Sequence, residues 1–440
     1  MMSTIVALGV GIEGLPILER VRAAGHRIVA VDANPQAPGF ALADSRIVAS
    51  CYDAAETVDG LATWLQFREQ QDRLVKLDAV LCCAIDAPNV AAAVAARFGL
   101  PGLTPAQAVL SCDKLAQKRT FKAAGVPVPD FWGLPLEVPA ASIRRDNIVG
   151  IVIKPVDSRG ARGVQLFKVE DGKFDAYAAM LNSQEFSPTG RVMLEQYLTG
   201  PQFSTESLVQ DSHVLWTGIS LRNYDRLEEY APHIIEDGFD APYGEDDFRD
   251  QIEILLERAC RALGWFQQGG GVVKGDLVLH DDRLYIIELA ARLSGGFLST
   301  HGWPLAYGMP FVDYAIKLAL GRAVYVAESG AWRQAVCQRY LFPKREWIGK
   351  SISSVPAIGL PTMEIYPDVQ LGHRSRKDMF KPLEGIRFST YAVAPGYVIR
   401  PVTDHAARLG QAIAVGDTPE QAAQRASAAV EAMREGIVKE

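Results

Sequence analysis

Asp276 and Glu288, in the stretch Asp276-Leu-Val-Leu-His-Asp-Asp-Arg-Leu-Tyr-Ile-Ile-Glu288, are the side chains whose type and spacing most clearly offer chemistry. Apolar positions alternate on either side of His280-Asp281-Asp282-Arg283. That predicts a β-hairpin turning near Asp282, with the two carboxylates opposite each other. Opposed side chains in an antiparallel pair have Cβ atoms about 4.5–5.5 Å apart, and like charges there repel unless something neutralises them. A hard cation would do so, because Mg²⁺ is commonly held by one or two carboxylates and completed by water and phosphate oxygens. A solvent-facing hairpin with acidic ends is the competing explanation. Against it, apolar runs flank both acids, and Arg292, Ser294, Gly295 and Gly296 follow at once.

A second group points to phosphate. The apolar run Asn147–Ile153 ends in Lys154-Pro155, and a lysine at a covered strand end needs an anionic partner. Three residues later Ser158-Arg-Gly160-Ala-Arg162-Gly163 offers backbone N–H groups and guanidinium forks, which together could clamp phosphates. A surface turn carrying two solvated arginines fits the same residues, and no G-x-x-x-x-G-K-[ST] loop occurs. A third candidate is Gly9-Val-Gly11-Ile-Glu-Gly14 after the first apolar run, with Asp32 closing the next, which matches a dinucleotide-binding fingerprint. Glu13 would set a negative charge beside the pyrophosphate, so the turn is better suited to shaping a substrate-facing edge.

These residues require a scaffold of alternating strands and helices. Ile5–Gly9, Arg27–Val31, Ile47–Ala49 and Ala79–Cys83 read as strands, and Leu15–Ala24 and Asn89–Phe98 as helices, which implies a parallel sheet. A helix from Asp113-Lys114 through Ala124 follows a boundary near residue 110. Strands Ile148–Lys154, Val164–Val169 and Arg191–Tyr197 with a helix near Phe174–Leu181 make a smaller unit. The chain then runs through the hairpin to a helix at Phe311–Leu320, and a third unit ends in the amphipathic helix Thr418–Glu435. The 440 residues are 48% hydrophobic with a net charge of −7, which argues against a general polyanion binder. No apolar run approaches the roughly 18 residues of a membrane span, and no basic leader precedes the first strand. The six cysteines have neither CxxC nor zinc-like spacing and read as reduced thiols in a cytoplasmic protein.

The order of these motifs resembles the ATP-grasp superfamily over roughly residues 1–325: Lys114 after Asp113, Lys154-Pro155 before the glycine-rich loop, Glu195-Gln-Tyr-Leu198-Thr-Gly200, then Asp276, Glu288 and Arg292. The tail segments Asp404–Gly410 and Ala412–Glu420 are similar to the C-terminal domain of biotin carboxylase and its relatives. The run Arg292–Gly321 is somewhat like carbamoyl phosphate synthetase large subunits. The resemblance implies an α/β ATP-grasp fold: a Rossmann-like parallel-sheet domain at 1–110, an ATP-grasp domain at 111–325 with a lid at about 130–200, and a C-terminal α+β domain at 326–440.

Carried over, Lys114 and Lys154 would contact the nucleotide. Ser158, Gly160, Arg162 and Gly163 would close over its phosphates, and Glu195, Gln196, Tyr197 and Leu198 would line the adenine pocket. Gln202 stands where the family commonly has a ribose-binding Glu. Asp276 and Glu288 would hold Mg²⁺, or Mn²⁺ in its place, although the family's Glu-x-Asn pair is here Glu288-Leu-Ala290, one oxygen ligand fewer. Arg292 would serve catalysis and face the substrate carboxylate, with Ser294, Gly295 and Gly296 toward the acceptor. Arg339 would be a substrate-side arginine, unless it is simply a salt-bridged strand residue.

The implied activity is ATP-dependent, ADP-forming ligation of a small carboxylate to an amine through an acyl phosphate. The partners would be small molecules, with no nucleic acid, no membrane, and a homodimer left open. Biotin as substrate is disfavoured, because the Glu-His-Pro stretch of biotin carboxylases is missing after Arg292. A nicotinamide-dependent oxidoreductase using the Gly9–Gly14 turn and a catalytically silent nucleotide binder remain alternatives. His233 and His301 are candidates for acceptor contact, though isolated histidines are more often structural.

Overall fold

The computed structural model describes residues 2–71, 75–135, 148–168, 176–244, 246–326, 332–355 and 385–439. The first strand, Thr4–Leu8, is buried at every position, as expected of a parallel strand covered on both faces. It pairs in parallel with Arg27–Asp32 on one side and Ala79–Cys82 on the other, and Ser45–Val48 completes the sheet. The expected helices appear at Leu15–Ala23 and Pro88–Phe98. A long helix, Ala54–Gln70, was not foreseen; its polar, weakly periodic sequence gives little hydrophobic signal, and few of its residues are buried.

Asp113 caps the helix Lys114–Ala123 by accepting a hydrogen bond from the Ala116 N–H at 2.8 Å. Fixing the helix start there puts Lys114 and Lys118 on one face, a turn apart. A four-stranded antiparallel sheet follows, ordered Phe131–Gly133, Val192–Gln196, Gly150–Pro155, Gln165–Lys168. The expected helix of this unit is Ala176–Glu185, displaced toward the C-terminus from the segment read in the sequence.

The hairpin pairs Gly270–His280 with Arg283–Ala290 and turns through Asp281 and Asp282, both at positive φ. Two consecutive left-handed residues give the turn the twist that antiparallel strands favour, and Asp tolerates that conformation better than most residues. The pair His280↔Arg283 would by itself bring Asp276 opposite Ile287. A one-residue shift between Asp276 and Leu277 brings Glu288 opposite Asp276 instead. The two carboxylates therefore face each other, as the alternation predicts.

The boundary near residue 325 is not a break in the architecture. The strands Gly270–His280 and Arg283–Ala290 belong to an eight-stranded antiparallel sheet that continues through Gln202–Gln210, His213–Arg222 and Phe239–Ala241. It then passes directly into Ala335–Leu341, Gly410–Gly416 and Ile386–Tyr391. The helix Pro419–Gly436, capped by Thr418, packs on this C-terminal part through Ala422 and Ala426. All six cysteines are free thiols. No helix among the described residues is long and apolar enough to cross a membrane.

Candidate functional site

A crevice between the four-stranded sheet and the eight-stranded sheet gathers most of the predicted residues. At one end, Glu195 is buried with Lys154 at 2.7 Å and Lys118 in direct contact with its other oxygen. Burial alone would raise the Glu195 pKa, but the two ammonium groups overcome it and hold the carboxyl low. Lys118 pays for the same burial: its pKa falls to about 8 despite Glu195. Sequence reasoning missed Lys118, although its i+4 spacing from Lys114 was the available signal. The Glu195 carboxylate is engaged with these lysines. Downstream, Gln196 and Tyr197 are half-buried and Leu198 is buried, while Gln202 opens the strand paired with Gly270–His280.

At the other end, Asp276 binds Arg222 at 2.9 Å, contacts Lys274 directly and accepts from Ser204 at 3.3 Å. Burial opposes its ionisation, yet Arg222 and Lys274 keep its pKa well below the usual carboxylate range. Arg222 also reaches Glu236 at 2.7 Å. Glu288 faces Lys114 at 3.5 Å, and Lys114 donates to the Ser158 carbonyl at 2.7 Å. The like-charge problem of the hairpin is thus eased by side-chain cations. Lys274 could have been found, because it lies two residues before Asp276 on the same strand face. Arg222 comes from a distant strand and carried no local signal.

Among the described residues no three His, Cys, Asp or Glu side chains cluster to hold a metal ion. Two opposed carboxylates do fit an Mg²⁺ that takes its remaining ligands from phosphates and water. Glu288 is the more available of the two, since its described ion-pair partner stands at 3.5 Å whereas Asp276 has three polar partners.

Arg292 bridges to the N-terminal domain, its Nε 3.2 Å from Asp86. The Asp86 pKa is lowered although burial raises it, because Arg292 and then Lys114 stand close by. The loop after Arg292 is fixed from two sides. Buried Glu206 accepts from the Ser294 N–H at 2.7 Å, the Ser299 hydroxyl at 2.6 Å and the Trp303 indole at 2.8 Å. From the N-terminal turn, Glu13 accepts from the Gly296 N–H at 3.1 Å, and burial raises its pKa. A Cβ on Gly295 would lie 2.8 Å from the Glu13 carboxylate, and one on Gly296, at φ +67°, would lie 2.5 Å from the Tyr340 hydroxyl.

The Gly9–Gly14 turn therefore abuts the Arg292 loop, and Asp32, the supposed ribose ligand, accepts from the Val10 and Asn34 N–H groups at 2.8 and 2.9 Å. The dinucleotide interpretation loses both of its features. In the Ser158–Gly163 loop, Gly160, Ala161 and Gly163 all take positive φ. Its held arginine is Arg159, which donates to the Asp86 carbonyl at 3.0 Å and stacks 3.8 Å from the Tyr52 ring, whereas Arg162 is exposed. The Gly160 carbonyl accepts from the His405 N–H at 3.1 Å, so the loop touches both flanking units.

Arg339 is not brought to this site. Gln338 donates to the Gly296 carbonyl at 2.7 Å, and the strand period of two turns Arg339 to the other face, where it meets Asp240 at 3.1 Å. Arg339 therefore stands as the salt-bridged strand residue of the alternative reading, one position away from the Gly296 face. The arginine that the C-terminal unit brings near Glu13 is Arg408, 3.5 Å from the Tyr340 ring and bonded to the Glu236 carbonyl at 2.8 Å. His301 is a core residue between Phe297 and Phe388, its pKa pushed down to about 3 by burial. His233 bridges to Gln165 at the lid margin.

A parallel-sheet domain, a small antiparallel lid and a long antiparallel sheet meeting at a lysine-lined crevice make up an α/β ATP-grasp fold. Residues 111–296 match the ATP-grasp domain family. Residues 376–435 match a more particular family, the L-amino acid ligase C-terminal domain 2, which sharpens the biotin-carboxylase likeness of the tail. An L-arginine-specific L-amino acid ligase of Bacillus subtilis is 25% identical over 207 residues, 46% of this chain and 48% of that protein. A D-alanine–D-alanine ligase of Marinomonas is 25% identical over 223 residues, 50% of this chain and 67% of its own length. The crystal structure of an L-amino acid ligase from Bacillus licheniformis superposes with a TM-score of 0.70 at 17% identity, covering 100% of this chain and 98% of that one. The chain spans about half the length of several curated relatives it matches.

Proposed function

We propose that this chain is an ATP-dependent, ADP-forming ligase that joins two amino acids through an aminoacyl phosphate. The observation that carries the proposal is the Arg292–Gly296 loop, pinned between Glu206 and Glu13 beside the Asp276–Glu288 pair. Glu13 is a half-buried carboxyl with raised pKa whose one described hydrogen bond comes from Gly296. A substrate ammonium beside it would restore its ionised form and gain a charge-assisted hydrogen bond. The family matched by the tail and the relatives' printed names support amino acids as both substrates.

In the proposed reaction a carboxylate oxygen of the first amino acid attacks the γ-phosphorus of ATP, and the bond to the bridging oxygen breaks to release ADP. The amino group of the second attacks the acyl carbon, the carbon–oxygen bond to phosphate breaks, and inorganic phosphate leaves as the amine loses its proton. Such transfer is served mainly by positioning and charge neutralisation. Lys118 and Lys154 would hold nucleotide phosphates, and Arg292, oriented by Asp86, would neutralise the transferred group. Asp276 and Glu288 would hold Mg²⁺, which supplies further charge neutralisation when bound.

The test is a screen of pooled L-amino acids, with a parallel D-amino acid pool, for phosphate release from ATP and for products one water lighter than a pair of substrates. Phosphate release with such a product supports the proposal. If neither pool yields either signal while Mg-ATP still raises the melting temperature, the chain is a nucleotide binder and the proposal fails.

A further inference from the structure

On the reverse face of the strand Ala335–Leu341 lies a cavity of about 430 Å³, within the size range of small-molecule sites, which runs from roughly 300 to 1,000 Å³. Alternation separates it from the crevice. Ala335 and Cys337 pack on Ala422 and Ala426 of the C-terminal helix, Arg339 shares their face, and Gln338 on the opposite face bonds Gly296. Of its lining side chains, Arg226, Arg339, Lys344, Arg345 and Arg434 are cationic, and Glu229, Asp237 and Glu431 are acidic. The excess of two positive charges stands out in a chain whose net charge is −7.

The acids do not use up these cations. Arg226 is clamped by both oxygens of Glu229 at 2.7 and 2.8 Å and by the Tyr230 and Phe342 rings at 4.9 and 5.5 Å, so its position is set in advance. Arg339 is held by Asp240, which lies outside the lining, and Arg434 contacts Glu431. The Arg434 Nε is nonetheless buried without a hydrogen-bond acceptor. Lys344 and Arg345, both exposed at the mouth, have no carboxylate partner among the described residues. A buried donor without an acceptor costs about 1–3 kcal/mol, and a guanidinium fork matches phosphate and carboxylate oxygens.

We infer that this cavity binds a small dianion, carried as a phosphate group or as a dicarboxylate, at a site separate from the reaction crevice. Two unpartnered cations at the mouth and a prefixed arginine wall match two negative charges better than one. Tyr340 borders the cavity from the strand, while its hydroxyl is turned with Gln338 toward Gly296 on the opposite face. The inference does not depend on the ligase proposal.

The experiment is isothermal titration of the Arg292→Ala protein, which weakens anion binding in the crevice, with inorganic phosphate in one arm and malonate in the other at constant ionic strength. One saturable site is expected in at least one arm, and the stronger arm identifies the carrier group. Adding Lys344→Glu and Arg345→Glu, both surface changes, is expected to weaken that binding at least tenfold. Saturable binding in neither arm, or binding indifferent to the charge reversal, overturns the inference.

Discussion

The two ends of the crevice handle charge in opposite ways. At the Glu195 end one buried carboxylate is shared by Lys118 and Lys154, and all three residues belong to the lid or the helix against it. At the Asp276 end the charges come from every unit: the cations Arg222, Lys274 and Arg292 from the central sheet and the loop after it and Arg408 from the C-terminal unit, and the carboxylates Asp86 and Glu13 from the N-terminal domain. The first arrangement is nearly complete without a ligand and suits a grip on a fixed part of the nucleotide. The second is composed of many partly exposed partners, which suits charges that arrive, move and leave.

If that contrast is right, replacing Arg292 with Ala gives the largest effect. ADP formation should fall about 10³-fold or more, roughly 4 kcal/mol of barrier, while Mg-ATP still raises the melting temperature. Retained turnover would remove Arg292 from the reaction end. Next come the two carboxylates of the hairpin, which should separate. Glu288→Gln is expected to lower turnover about 10²-fold with little change in stability. Asp276→Asn strands Arg222 and Lys274 and should in addition cost about 3–5 kcal/mol in denaturant unfolding. Equal stabilities for the two variants would break the assignment of Asp276 as the more deeply paired group.

A smaller effect is expected at Asp86→Asn: turnover reduced about tenfold with the KM for ATP unchanged, because Asp86 orients Arg292 without touching the nucleotide. A change confined to KM would contradict that role. The smallest is a pH effect at the Glu195 end. With its pKa near 8, Lys118 is an ammonium below that pH and neutral above it, and phosphate pairs only with the ammonium. Mg-ATP affinity should be flat up to about pH 7 and weaken as pH rises through 8, by at most roughly tenfold per unit. Stability runs the other way: the unfolded lysine keeps its proton up to its ordinary value of 10.5, so this group's contribution to folding rises with pH between 8 and 10.5. Lys118→Met should flatten both profiles; an affinity profile unchanged by that substitution would place the nucleotide grip elsewhere.

Local signals explain how much of this the sequence disclosed. The Asp276–Glu288 opposition was legible because strand alternation and the Asp281-Asp282 turn lie within one short segment, even though a bulge was needed to align them. Lys154 was legible as the end of an apolar strand and Glu195 only through the family resemblance, and their mutual contact was legible from neither. For Arg339 the sequence left a substrate-side position and a salt-bridged strand position both open, because the face it takes depends on register, and Arg408 was passed over because nothing near it in sequence marks Tyr340 or Glu236 as its companions. Glu13 was noticed only as an objection to a dinucleotide, since its partner Gly296 is far away in the chain.

The passage of the long sheet from Phe239–Ala241 into Ala335–Leu341 has a practical consequence for anyone dividing this chain. A fragment ending near residue 325 would bare the backbone edge of a three-residue strand and lose the Gln338 support under Gly296. Unpaired edges invite intermolecular pairing. Such a fragment should aggregate on expression instead of yielding a minimal catalytic core, and a domain exchange at that position would carry a seam through the middle of a hydrogen-bonded ladder.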